Sequence, residues 1–184
     1  MRAGLIVALL SLAGCATVPQ HSACTALGAG VRYCLQPLPA GQVLAVNQWV
    51  EISVADRPAG ERLVFAIDAA GARMDVVGLS PLGQKVFRVT TDHGTLRWDG
   101  PQAAEALGRQ LPALIQLMLW PEAAVREGLS AGATLAVSAH ERRLSGDDTL
   151  LLTSRQSAST PAEGAIDARF TQLDARIRIT PLED

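Results

Sequence analysis

Two hydrophobic textures alternate along the chain. Between residues 43 and 98, apolar positions recur every second residue in short runs, with turn residues between them. Period-two alternation with β-branched residues marks strands that bury one face. The stretch Val43–Val54 is rich in Val, Ile and Trp. Residues 63–67 follow Pro58-Ala59-Gly60, and Ala70-Gly71 turns them back. Arg73–Leu79, residues 85–91 and residues 95–98 come next, separated by Ser80-Pro81-Leu82-Gly83 and His93-Gly94. Loops this short join antiparallel neighbours, because a parallel crossover takes a dozen or more residues.

The texture then changes. From Pro101 to about Gly128 the residues are Ala, Leu, Gln, Glu and Met, good helix formers. Pro101 and Pro112 suit first-turn positions, and Pro121 ends the run 111–120. Within it, Leu114-Ile115-Gln116-Leu117-Met118-Leu119-Trp120 is apolar nearly all round, so the helix must be covered on more than one side. Strands resume at residues 134–138 and 150–153, residues 154–164 read as a polar loop, and 165–171 with 175–180 form a closing hairpin. In that hairpin Ile177 and Ile179 face one way and Arg176 and Arg178 the other.

Strands, a helical insertion and more strands predict a mainly β fold, a curved antiparallel half-barrel sheet covered by α-helices. The space between sheet and helices is the natural place for an apolar ligand, although a solid core has the same periodicity. The candidate cavity wall is Leu63, Phe65, Ile67, Trp98, Leu114, Leu117, Met118, Phe170, Ile177 and Ile179.

The N-terminus carries a different signal. Met1-Arg2, an apolar run from Leu5 to Leu12 and small residues before a cleavage point have the build of a secretory signal, too short to span a bilayer as a helix. The tetrapeptide Leu12-Ala13-Gly14-Cys15 resembles the bacterial lipobox, in which the cysteine becomes the new N-terminus and carries acyl chains such as palmitate. Residues 1–14 are therefore expected to be a lipoprotein signal peptide and Cys15 the lipidation site. Ala16, which is not Asp, favours the outer membrane by the logic of that motif. Residues 15–36 read as a lipidated N-terminus and tether, with 16–30 small and polar, and 37–184 as the lipid-binding domain. The remaining cysteines, Cys24 and Cys34, are an even pair in an oxidising compartment, outside C-x-x-C spacing, and are expected to form a disulfide.

Composition adds little. The formal charge of −2 argues against a polyanionic partner such as nucleic acid, and fifteen of the sixteen basic residues are Arg. His21, His93 and His140 are scattered without metal-ligand spacing, and no G-x-S-x-G, S-x-x-K or P-loop occurs. Asp147-Asp148 reads as a solvated turn, and Gly28-x-Gly30 lacks a third glycine. No catalytic residue, metal or cofactor is expected, and the chain is not expected to be an enzyme.

The ordered motifs carry a resemblance. "Leu-Ser-Pro-Leu-Gly" precedes a strand, then come "Trp-Asp-Gly", a helical segment entered through "Leu-Pro" and left through "Leu-Trp-Pro", and a terminal "Ala-Arg-Ile-Arg-Ile". From about Leu63 to Leu182 this order resembles the LolB-like outer-membrane lipoproteins of the LolA/LolB superfamily. The resemblance implies a half-barrel over an acyl-chain cavity, anchored in the outer membrane and facing the periplasm. It implies an acyl-lipid or lipoprotein cargo and a periplasmic carrier protein as partners, and a membrane contact at Leu82 in the Pro-Leu-Gly loop. A structural or assembly lipoprotein that binds a protein partner in the cell envelope is the alternative.

Overall fold

A computed structural model describes residues 23–54 and 62–182. Cys15, residues 1–14 read as a signal peptide, and His21 lie outside the described residues. The chain first forms a two-stranded hairpin, β1 (Cys24–Gly28) and β2 (Val31–Cys34). The strands β3 (Val43–Val54), β4 (Arg62–Ala70), β5 (Arg73–Leu79), β6 (Lys85–Asp92) and β7 (Thr95–Asp99) follow as an antiparallel meander. Three helices, α1 (Glu105–Gly108), α2 (Leu111–Leu119) and α3 (Glu122–Gly128), separate it from a second meander. That one comprises β8 (Ala133–Val137), β9 (Glu141–Gly146), β10 (Thr149–Gln156), β11 (Ile166–Phe170) and β12 (Ala175–Pro181).

The two meanders join through β3 and β12 into one open, ten-stranded antiparallel sheet, β7-β6-β5-β4-β3-β12-β11-β10-β9-β8. This order dictates where the helices go. The strands β7 and β8 are the two edges, yet they are neighbours in sequence, so the helical insertion must cross the sheet between them. The face it crosses is apolar by register. Val46, Ile67, Val76, Val89 and Trp98 lie side by side across five strands, and Ile166, Ile179, Val50 and Leu63 across four.

Two expectations need correction, and one strand comes in addition. Part of the region read as a tether is folded: Tyr33 of the hairpin is fully buried, and Val31 and Leu27 nearly so. The body makes room for it with two glycines. A Cβ at Gly128 would stand 2.5 Å from the Tyr33 ring, and one at Gly146 would stand 2.2 Å from a Val31 methyl. The loop expected at 154–164 begins later, since β10 runs to Gln156. Strand β9 was not foreseen, because Glu141-Arg142-Arg143 hides its alternation: Arg142 points inward, where an apolar residue is expected.

Cys24 and Cys34 face each other across the hairpin and are joined by a disulfide, S–S 2.03 Å. For a loop of this length the chain-entropy model gives a stabilisation of about 2–3 kcal/mol. Its effect is to hold the hairpin closed beneath α3, where Ser130 exchanges hydrogen bonds with the Arg32 backbone at 2.9 and 3.0 Å.

Candidate functional site

Helix α2 is the centre of the molecule. All nine of its residues are buried, which an amphipathic surface helix would not show. One flank lies on the middle of the sheet. There Leu111, Leu114, Ile115 and Met118 meet Val50 and Ile52 of β3, Phe65 and Ile67 of β4, and Ile177 and Ile179 of β12. The void between them is about 10 Å³. The other flank brings Leu117 to Phe170, Leu144, Leu152 and Leu27 around a second void of about 10 Å³. A water needs about 10–15 Å³ and two or more polar partners, so gaps this small are packing defects with no room for a ligand.

Eight of the ten expected wall residues thus converge on α2. The other two stand apart: Leu63 is half-buried, and Trp98 stacks on Phe87 with ring centroids 5.2 Å apart. Phe65 meets Phe87 edge-on at 5.3 Å, so Phe87 links the other two rings into one aromatic cluster. Two glycines seat that cluster. A Cβ at Gly78 would lie 2.1 Å from the Phe87 ring, and one at Gly108 would lie 2.2 Å from Trp98.

An open acyl cavity was expected between sheet and helices, and in this conformation the interface is packed shut. On the sheet flank the side chains of α2, β3, β4 and β12 fill the space themselves; on the other flank a further filler is the disulfide-closed hairpin. Read as tether, it instead places Leu27 and Tyr33 in the apolar interior beside α2.

Polar ties fix α2 at two points. Gln116, 2 % exposed within the apolar run, accepts hydrogen bonds at Oε1 from the Tyr33 hydroxyl and the Gln36 backbone N–H, both 2.9 Å. Its Nε2 donates to the Gln36 carbonyl at 2.9 Å, and Trp120 Nε1 donates to the same carbonyl at 3.1 Å. Burial pushes the Tyr33 hydroxyl above the ordinary phenol range, with the Arg142 charge working the other way. The second tie is Arg142, whose Nη1 donates to the carbonyls of Trp120 at 2.7 Å and Leu117 at 3.3 Å. A cation at these C-terminal carbonyls also complements the helix dipole. Burial lowers the affinity of this guanidinium for its proton, and Glu122 and Tyr33 oppose that shift.

A second feature lies at one end of the strands. Ser80-Pro81-Leu82-Gly83 is a turn closed by the Gly83 N–H donating to the Ser80 carbonyl at 2.8 Å, with Gly83 at φ +78°. Pro81 presets the backbone of the turn, Gly83 supplies its left-handed exit, and Leu82 is left 87 % exposed at the tip. A pocket of about 160 Å³ opens at the opposite end of the strands, lined by Leu35, Met74, Thr91 and His93 together with Gln116 and Trp120.

Asp147 and Asp148 both have positive φ (46° and 59°) and make the two-residue turn between β9 and β10. Their role is conformational. Among the described residues no group of three His, Cys, Asp or Glu could hold a metal, and no helix is long and apolar enough to cross a membrane.

A family described as "Protein of unknown function (DUF3261)" matches residues 45–183, about three quarters of the chain. The match spans the whole ten-stranded sheet apart from the first two residues of β3, together with all three helices, and leaves out the β1–β2 hairpin. The chain belongs to this family. No curated protein matches it.

Proposed function

We propose that this member of the DUF3261 family is an outer-membrane-anchored periplasmic lipoprotein that takes an acyl chain between α2 and the sheet and passes it to a membrane. The observation that carries this reading is the contact between α2 and strands β3, β4 and β12, where every lining residue is apolar. Such a contact has no hydrogen bonds to break across it. An acyl chain inserted there would exchange one apolar neighbour for another, gaining about 0.8 kcal/mol per methylene removed from water. Rotation of α2 about its two polar ties would open the space, and no covalent chemistry is required. The resemblance to LolB-like lipoproteins and the lipobox at Cys15 agree with this assignment, and the cargo would be an acyl lipid or an acylated protein delivered by a periplasmic carrier.

The small size of the voids favours a second reading, a structural lipoprotein with a solid core that binds a protein partner. Solvent extraction of the purified full-length protein separates the two. Non-covalent fatty-acyl material in amounts comparable with the protein supports cargo binding, and its absence from protein purified without detergent supports the alternative.

Leu82 would serve delivery. A leucine fully buried in a membrane interface gains about 1.5–3 kcal/mol, too little to anchor a protein but enough to orient a tethered one. Leu82→Glu is expected to leave Tm within about a degree, since an exposed turn residue contributes little to folding. Transfer of a fluorescent acyl lipid from the protein to liposomes is expected to slow several-fold. A large fall in Tm with unchanged transfer would make Leu82 an ordinary structural residue.

A further inference from the structure

The outer face of the sheet carries two neighbouring rows of side chains with different charge. One row, Glu141, Arg155, Asp167, Arg178, Glu51 and Arg62, alternates in sign across six adjacent strands. The next row, two residues along each strand, is Arg143, Thr153, Arg169, Arg176 and Ser53. It contains three arginines and no carboxylate.

Neighbouring carboxylates do not neutralise this second row. Arg143 leans to Glu141 at 3.0 Å, but Glu141 also serves Arg155 at 3.1 Å. Arg176 takes Asp167 at 2.5 Å, and Arg178 stands 3.8 Å from the same carboxylate. Partial desolvation alone would raise the Glu141 carboxyl; the hydrogen bond from Arg155 and the charge of Arg143 outweigh it and hold the group low. Four guanidiniums therefore share two carboxylates. Arg169, exposed, has neither an ion pair nor a hydrogen bond among the described residues. Arg155, Arg169 and Arg176 line an open groove of about 860 Å³ with Ser53, Thr153 and Leu150, against the two carboxylates of Asp167 and Asp174.

Position adds a second observation. The turns between β5 and β6, β9 and β10, and β11 and β12 lie at one end of the strands, and the arginine row is the nearer of the two rows to that end. Both Leu82, 87 % exposed, and Leu150, 44 % exposed and part of the groove wall, lie at this end. With strands about 4.8 Å apart, the row from Arg143 to Arg176 covers about 14 Å, more than a single phosphate can bridge. A surface of many phosphates fits it better than one free oxyanion. The overall charge of −2 does not oppose this, because the excess of positive charge is local.

The geometry points to a docking surface for a bilayer of anionic phospholipids, with the Arg143–Arg169–Arg176 row against headgroup phosphates while Leu82 and Leu150 enter the interface. This deepens the membrane-delivery reading, on which it rests. A basic residue held near an anionic membrane strengthens binding about fivefold, and salt screens the effect. The test uses the full-length chain carrying Cys15→Ala in every arm, so that no arm has the lipid anchor. Flotation compares vesicles of phosphatidylcholine alone with vesicles that also contain phosphatidylglycerol.

The parent is expected to bind the anionic vesicles more tightly, and Arg169→Glu to remove about tenfold of that affinity without altering Tm or binding to neutral vesicles. Equal binding to both vesicle types, or an Arg169→Glu variant that keeps the anionic preference, overturns the proposal. So does loss of the preference in millimolar inorganic phosphate but not in chloride of equal ionic strength, which would assign the row to a free oxyanion. Failure of the membrane-delivery reading looks different, since Leu82→Glu would then leave binding to neutral and anionic vesicles unchanged.

Discussion

Leu114→Ala is expected to lower stability by about 3–5 kcal/mol and yet to preserve or strengthen binding of an apolar fluorescent probe. Leu114 has no exposed surface and stands between α2 and the sheet. Truncating such a residue removes its transfer free energy and leaves a cavity that neighbours fill only in part. Urea unfolding would read the loss directly. The second half of the expectation separates two kinds of core. In a solid structural core the new cavity is merely a defect, and probe binding falls with the folded fraction. If acyl chains enter between α2 and the sheet, the mutation enlarges the place they occupy. Probe affinity measured where the variant remains folded should then equal or exceed that of the parent.

Gln116→Leu should cost about 2–4 kcal/mol, although it replaces a polar residue by an apolar one in an apolar run. The gain in apolar surface is small beside what is stranded. The Tyr33 hydroxyl and the Gln36 N–H would both lose their acceptor, in surroundings where Tyr33 is fully buried. A buried donor left without a partner costs about 1–3 kcal/mol. Adding Tyr33→Phe to Gln116→Leu should recover part of the loss, because it removes one stranded group. A double-mutant cycle with a coupling near zero would show that the two side chains do not act together. The variant should also loosen the hairpin from α2, seen as faster amide exchange in β2.

The meander from β3 to β7 was legible in the sequence because each strand buries one face and exposes the other, so its apolar alternation is clean. The helical insertion was legible from its composition and prolines. Strand β9 was not, because its inward position is Arg142, a charge the fold accepts where the C-terminal end of α2 offers carbonyls. Nothing local announces such a partner. The hairpin was missed for a related reason. Gly28 and Gly30 with small polar neighbours read as tether, yet Cys24 opposite Cys34 and the alternation of Val31 with Tyr33 were the available signals.

The converging wall residues on α2, β4 and β12 were recognisable, since periodicity assigns faces. Whether they enclose space or fill it depends on how closely α2 seats on the sheet and, on the Leu117 flank, on the distant β1–β2 hairpin, and periodicity carries no such information. Gln116 was visible as the one polar residue in the run, but its partners at Tyr33 and Gln36 come from about eighty residues away. The arginine row was invisible for the same reason. Its members lie on β9, β11 and β12 and become neighbours only through strand register.

The central claim, that an acyl chain enters between α2 and the sheet, is tested most directly by a fatty acid carrying a photoactivatable group near its methyl end. It would be bound to the full-length protein, irradiated and located by peptide mass spectrometry. The account predicts cross-links within 111–119 and 175–181, the segments that meet at Leu114, Met118, Ile177 and Ile179, with competition by unlabelled fatty acid. Cross-links confined to exposed positions such as the Leu82 turn, or labelling that unlabelled fatty acid does not displace, would contradict it.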